Sequence, residues 1–151
     1  MNMDEQQSDP EIARVAALAG ELHVLIGKLK RRLRAEANAG DLTWSQTAVL
    51  VRLERDGPAT VTTLARAEGV RPQSMGATIA VLEAAGLVRG APDPADGRQT
   101  ILSLTDTCRD MIAAGRAARE DWLSRAIQTK LSVAELEQLA TGIELLKRLV
   151  D

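Results

Sequence analysis

Asp96 and Arg98, separated by Gly97, are the residues of this chain best placed to act on a charged partner. They close a turn-forming run, Pro92-Asp-Pro94-Ala-Asp96-Gly97, and precede an alternating segment, Thr100-Ile-Leu-Ser-Leu104, which puts them at the tip of an expected β-hairpin. A guanidinium on a projecting hairpin suits the narrow, electronegative minor groove of duplex DNA. Taken alone, the two would be a surface ion pair of little energetic weight. Covalent and metal chemistry are poorly supplied. One histidine, His23, and one cysteine, Cys108, exclude an intrachain disulfide and any multi-cysteine zinc site. Carboxylates are plentiful but form no catalytic constellation, so neither an enzyme nor a bound cofactor is expected.

The bulk properties narrow the partner further. A chain of 151 residues with 45% hydrophobic and 26% charged content suits one soluble domain with an added oligomerisation element. It has no Phe or Tyr, only Trp44 and Trp122, so its core must come from Leu, Ala, Val and Ile, and few aromatics remain for stacking on bases. The net charge of −2 lacks the signature of a nonspecific nucleic-acid binder, so affinity for DNA would depend on local placement of arginines. No apolar run is long enough to span a bilayer and the acidic N-terminus does not read as a signal peptide, which gives a cytoplasmic expectation without membrane partners.

The elements that must position the hairpin follow from periodicity and caps. Residues 1–9 are expected to be flexible. Asp9 would cap, and Pro10 open, a long helix carrying Ile12, Val15, Ala19, Leu22, Ile26, Leu29 and Leu33, fading near Asn38-Ala39-Gly40. Thr43 caps a second helix that ends at Asp56-Gly57-Pro58. Thr62 or Thr60 caps a short third helix stopped by Gly69, and Pro72 opens a fourth with Met75, Ile79 and Leu82 inward, closed by Gly86. The last two form a helix-turn-helix. Leu87-Val-Arg89 and Thr100–Leu104 make the hairpin. Thr105 caps a fifth helix, with Cys108, Met111, Ile112, Gly115, Arg119, Trp122 and Ala126 on its inner stripe. Ser132-Val-Ala-Glu135 is a capping box that opens a sixth, with Leu136, Leu139, Ile143, Leu146 and Leu149 in line. The fold class is therefore mainly α, a winged helix-turn-helix domain over 41–105 flanked by dimerisation helices over 10–40 and 106–151. The flanking helices carry more apolar surface than the central lobe can cover, which two subunits would bury together.

In this order and spacing the chain resembles the MarR family of transcriptional regulators. The resemblance rests on Leu42-Thr-Trp-Ser-Gln46, Thr63-Leu-Ala65, Val70-Arg-Pro-Gln-Ser74, Leu82-Glu-Ala-Ala-Gly-Leu-Val88, and Asp96-x-Arg98 followed by Leu104-Thr105. It implies a homodimer on a roughly palindromic double-stranded operator, usually a repressor, released by a small-molecule effector or by oxidation.

Within that frame the N-terminal residues of the fourth helix should enter the major groove. Gln73 can bond adenine bidentately, Ser74 can reach a base edge or phosphate, and Arg71 a phosphate or guanine. Ala77 departs from the family, many members of which carry a long polar or basic side chain there. Thr62 and Thr63 are either phosphate donors or caps, and Arg89 either a phosphate contact or a solvated side chain. Arg98 would enter the minor groove, with Asp96 bracing it or holding the tip and Gly97 permitting a tight turn. Topology places His23, Ile26, Lys30, Trp44 and Met111 as candidate effector-pocket residues. The run Lys28, Lys30, Arg31, Arg32 and Arg34 could face an anion but more simply complements its helix terminus. Two alternatives remain: a helical protein-interaction module that has lost DNA binding, and a redox sensor acting through Cys108. The buried stripe position of Cys108 favours an inert thiol.

Overall fold

The computed structural model describes residues 3–37 and 40–151. Among these, six helices and a three-stranded sheet follow in the order α1 (Met3–Glu36), α2 (Trp44–Asp56), β1 (Ala59–Thr60), α3 (Val61–Glu68), α4 (Pro72–Ala84), β2 (Val88–Pro92), β3 (Thr100–Leu104), α5 (Asp106–Lys130) and α6 (Val133–Lys147). Two compact units result. Ala39–Ala117 forms one, and Met1–Asn38 with Ala118–Asp151 forms the other.

The unit Ala39–Ala117 is a winged helix-turn-helix lobe built on strong local signals. Thr43 and Gln46 close a capping box at the start of α2: Thr43 Oγ1 accepts from the Gln46 N–H at 3.2 Å and Gln46 Oε1 from the Thr43 N–H at 3.0 Å. The helix turns Val49, Leu50 and Leu53 into the core. Thr60, rather than Thr62, caps α3 by accepting from the Thr63 N–H at 3.2 Å. Gly69 ends that helix at φ 67°, a left-handed conformation that a side chain would strain. Pro72 at the first position of α4 gives up an N–H that no helix carbonyl could have received. Leu64, Leu82, Leu102, Val49 and Cys108 are the most deeply buried side chains, and each fully buried leucine contributes roughly 1.5–3 kcal/mol.

The sheet order is β1-β3-β2, all antiparallel, with Val88 opposite Leu104, Gly90 opposite Leu102 and Pro92 opposite Thr100. Two features differ from the sequence expectation. The outgoing wing strand extends to Pro92, whose missing N–H is tolerated because β2 is an edge strand. The third strand, β1, arises where Ala59 and Thr60 pair with Leu102 and Ile101. Thr105 ties the wing to α5. Its hydroxyl donates to the Gly86 carbonyl at 2.6 Å and accepts from the Cys108 N–H at 3.1 Å.

The other unit is helical. α1 begins at Met3, so Asp9 lies within the helix instead of capping it and Pro10 is internal. Pro10, with no N–H, forgoes one helix hydrogen bond there. Residues 1, 2, 38 and 39 lie outside the described residues, and with them part of the N-terminal segment expected to be flexible and most of the Asn38-Ala39-Gly40 stop, whereas residues 3–9 are helical. In α6 the Ser132 box is closed by its N–H donating to Glu135 at 2.7 Å, which holds the Glu135 carboxyl below its usual range. α6 buries none of its residues, leaving Ile143 and Leu146 each 44% exposed. On α1, Ile12, Val15, Leu18 and Leu25 are all more than half exposed. Arg32 stacks 5.2 Å above the Trp122 ring and pairs with Glu36 at 2.8 Å. That contact accounts for one member of the basic run as structural.

Candidate nucleic-acid interface

The turn Gly69-Val70-Arg71 delivers the start of α4 to the surface of the lobe. Arg71 is the N-cap residue, and its side chain is exposed. Gln73, Ser74 and Ala77 are all exposed, on the side of α4 away from buried Met75, Ile79 and Leu82. Thr62 is exposed. Thr63 already accepts a 3.0 Å hydrogen bond from the Thr60 hydroxyl, but its own hydroxyl proton remains available to an acceptor such as a phosphate oxygen.

At the wing tip Asp96 acts on the backbone. Its carboxylate accepts the Arg98 N–H at 3.1 Å, and its carbonyl accepts the Gln99 N–H at 3.0 Å. Asp93 repeats the device by accepting the Ala95 N–H at 2.9 Å. These Asx turns shape the tip. Gly97 is not among the positive-φ glycines, so the expectation that it supplies the tight turn is corrected. The glycine the wing requires is Gly90. A Cβ there would lie 2.7 Å from Thr100 Cγ2, closer than real Cβ atoms come. No signal in the sequence distinguished Gly90 from a replaceable residue, because the clash comes from across the ladder.

The arginines of this unit divide by location. Those with carboxylate partners lie on α2 and α5: Arg52 with Glu68 and Asp56, Arg55 with Asp56, Arg109 with Asp106, and Arg116 with Glu54. Arg66, Arg71, Arg89 and Arg98 form no ion pair among the described residues. All four sit on the helix-turn-helix or the wing. The arginines without an ion pair thus lie on the helix-turn-helix and the wing, beside Glu83, Asp93 and Asp96, which also form none among the described residues, and Arg66 joins the arginines that sequence reasoning had singled out.

The remaining candidates occupy other surroundings. His23, Ile26 and Lys30 are exposed on α1, Trp44 is 66% exposed at the start of α2, and Met111 packs half-buried against the lobe core. Within the lobe, a cavity of about 290 Å³ opens instead between Leu53, Glu54, Pro58, Leu104, Arg109 and Arg116. Cys108 is fully buried. Burial pushes its thiol up, with Glu54 adding to the shift and Arg109 opposing it, so the reactive thiolate is suppressed. No group of three or more His, Cys, Asp or Glu among the described residues is placed to hold a metal ion. None of the described helices is long and apolar enough to cross a membrane.

The sequence profile of the MarR family matches residues 40–99. A helix-turn-helix transcriptional regulator of Mycobacterium tuberculosis is 36% identical over 136 residues, spanning 90% of this chain and 94% of its own. The chain belongs to the MarR family. Among solved structures, a transcriptional regulator protein of Pseudomonas aeruginosa superposes with a TM-score of 0.79 at 36% identity, over 91% of this chain and 96% of that one. A point mutant of Staphylococcus aureus MepR, bound to an oligodeoxyribonucleotide, shares the fold with a TM-score of 0.69 at 19% identity, over 89% and 98%. This MarR-family protein is therefore a DNA-binding transcriptional regulator and not an enzyme.

Proposed function

We propose that this regulator is a homodimeric repressor that binds a roughly palindromic operator near its own or a neighbouring promoter and is released by a small-molecule effector. In this reading α4 enters the major groove by Arg71, Gln73 and Ser74, with Ala77 facing the bases. Arg98 enters the adjacent minor groove, and Arg66, Arg89, Thr62 and Thr63 contact phosphates. The carrying observation is the segregation of arginines without ion pairs onto the helix-turn-helix and wing. The oligodeoxyribonucleotide held by the MepR relative supports the same partner. The apolar side chains left exposed on α1 and α6 support the dimer, since a monomer would carry that surface into water. The five effector candidates rest on topology. The buried, proton-retaining thiol of Cys108 speaks for release by a ligand over release by oxidation.

Footprinting of the DNA upstream of its own gene tests the reading. Two protected patches about one helical turn apart (roughly 34–36 Å centre to centre) are expected from two α4 helices. A single patch, or uniform protection along the fragment, would contradict it.

A further inference from the structure

Beyond its first turn, the face of α4 opposite the core is lined by Ala and Val side chains. Opposite the buried Met75, Ile79 and Leu82, the helical period places Gln73, Ala77, Ala80, Val81 and Ala84 on one exposed face, with Val81 51% exposed. The Thr78 hydroxyl is half-buried and turned back to the Ser74 carbonyl at 3.3 Å. Glu83 is the one charged residue in the helix. Arg66 on α3 and Arg71 at the α4 N-cap are exposed cations suited to phosphates.

This chemistry constrains what the helix can read. Guanine is distinguished by donors aimed at N7 and O6, and cytosine by an acceptor at its N4 amine. An alanine face supplies neither and would leave those groups unpaired when water is displaced. The one apolar feature of the major groove is the thymine C5-methyl, and the Gln73 amide matches adenine N6 and N7. Ala77 lies one turn beyond Gln73, about 6 Å along the axis, roughly two base-pair steps.

We propose that Ala77, with Ala80 beside it, reads thymine methyl groups while Gln73 reads a nearby adenine, so that each half-site has a methyl-dependent A·T core. The inference rests on the docking of α4 proposed above, and it makes Ala77 a specificity-determining residue.

Selection of binding sites from randomised duplexes by the full-length protein, followed by replacement of each core thymine with deoxyuridine, tests it. The exchange removes one methyl and leaves base pairing intact. At the position facing Ala77, binding should weaken about fourfold per half-site, the transfer cost of one methyl group. Ala77→Gly should lose that sensitivity, and Ala77→Arg should shift the selected base toward guanine. A selected G·C core, or specific binding indifferent to deoxyuridine, would overturn this inference alone. Failure to select any sequence would overturn the docking of α4 as well.

Discussion

Replacing Arg98 with alanine separates a working wing from an ornamental one. The guanidinium is exposed and makes no ion pair within the lobe, and what orders the tip is the Arg98 N–H on the Asp96 carboxylate, which alanine keeps. Folding stability should therefore change by less than about 0.5 kcal/mol, as for an isolated surface substitution. A charge-assisted contact in the minor groove contributes about 1–3 kcal/mol per wing. Operator affinity should accordingly fall roughly five- to 150-fold for each wing engaged. If one phosphate-equivalent charge is lost per wing, the slope of log affinity against log salt should shrink by about 0.9 per wing. Arg98→Lys should retain most of that slope and part of the affinity. Asp96→Ala should cost less affinity and leave the slope intact, because it loosens the tip without removing a cation. Fluorescence anisotropy on an operator duplex across salt concentrations, with thermal melts in parallel, reads all three. An Arg98→Ala protein with unchanged affinity and slope would refute the reasoning.

Deleting residues 132–151 should give monomer or aggregate by light scattering if, as proposed, the α6 stripe of Leu136, Leu139, Ile143 and Leu146 joins two subunits; a folded, dimeric truncation would contradict this. Gly90→Ala should destabilise the lobe by about 1–3 kcal/mol through the 2.7 Å approach to Thr100 Cγ2, and Thr100→Ser, which removes that methyl, should restore most of the loss in denaturant titration. Peroxide should leave DNA binding unchanged, and a loss that a thiol reductant reverses and Cys108→Ser abolishes would assign a redox role to Cys108. Because the folded thiol holds its proton above its unfolded range, its stabilising contribution is full below the unfolded pKa and is lost as pH rises through the folded one. Cys108→Ala should therefore flatten the alkaline fall of the melting temperature.

The parts of this molecule visible in its sequence are those governed by short-range rules. The capping pairs Thr43/Gln46 and Ser132/Glu135, the αL stop at Gly69 and the inner spacing of Met75, Ile79 and Leu82 are each set by residues within one or two turns. What escaped depends on partners distant in the chain. β1 is two residues long, too short for any period, and exists only because β3 offers an edge. Gly90 is demanded by Thr100 across the hairpin, while of the two threonines offered as the α3 cap the structure uses Thr60. Of the candidate site, Arg71, Arg89 and Arg98 were legible as residue types at motif positions. Their lack of carboxylate partners, and that of Arg66, could emerge only once the pairing of Arg52, Arg109 and Arg116 was known.

The central claim is sequence-specific duplex binding by a net-acidic protein through a few arginines held in no ion pair. A direct test titrates the full-length protein against the DNA upstream of its own gene and against a scrambled duplex of equal length and composition, at two salt concentrations. The account predicts preference for the upstream duplex by about a thousandfold or more, two protomers per site, and weakening of both complexes with salt. Equal affinity for the two duplexes, or binding indifferent to salt, would contradict it.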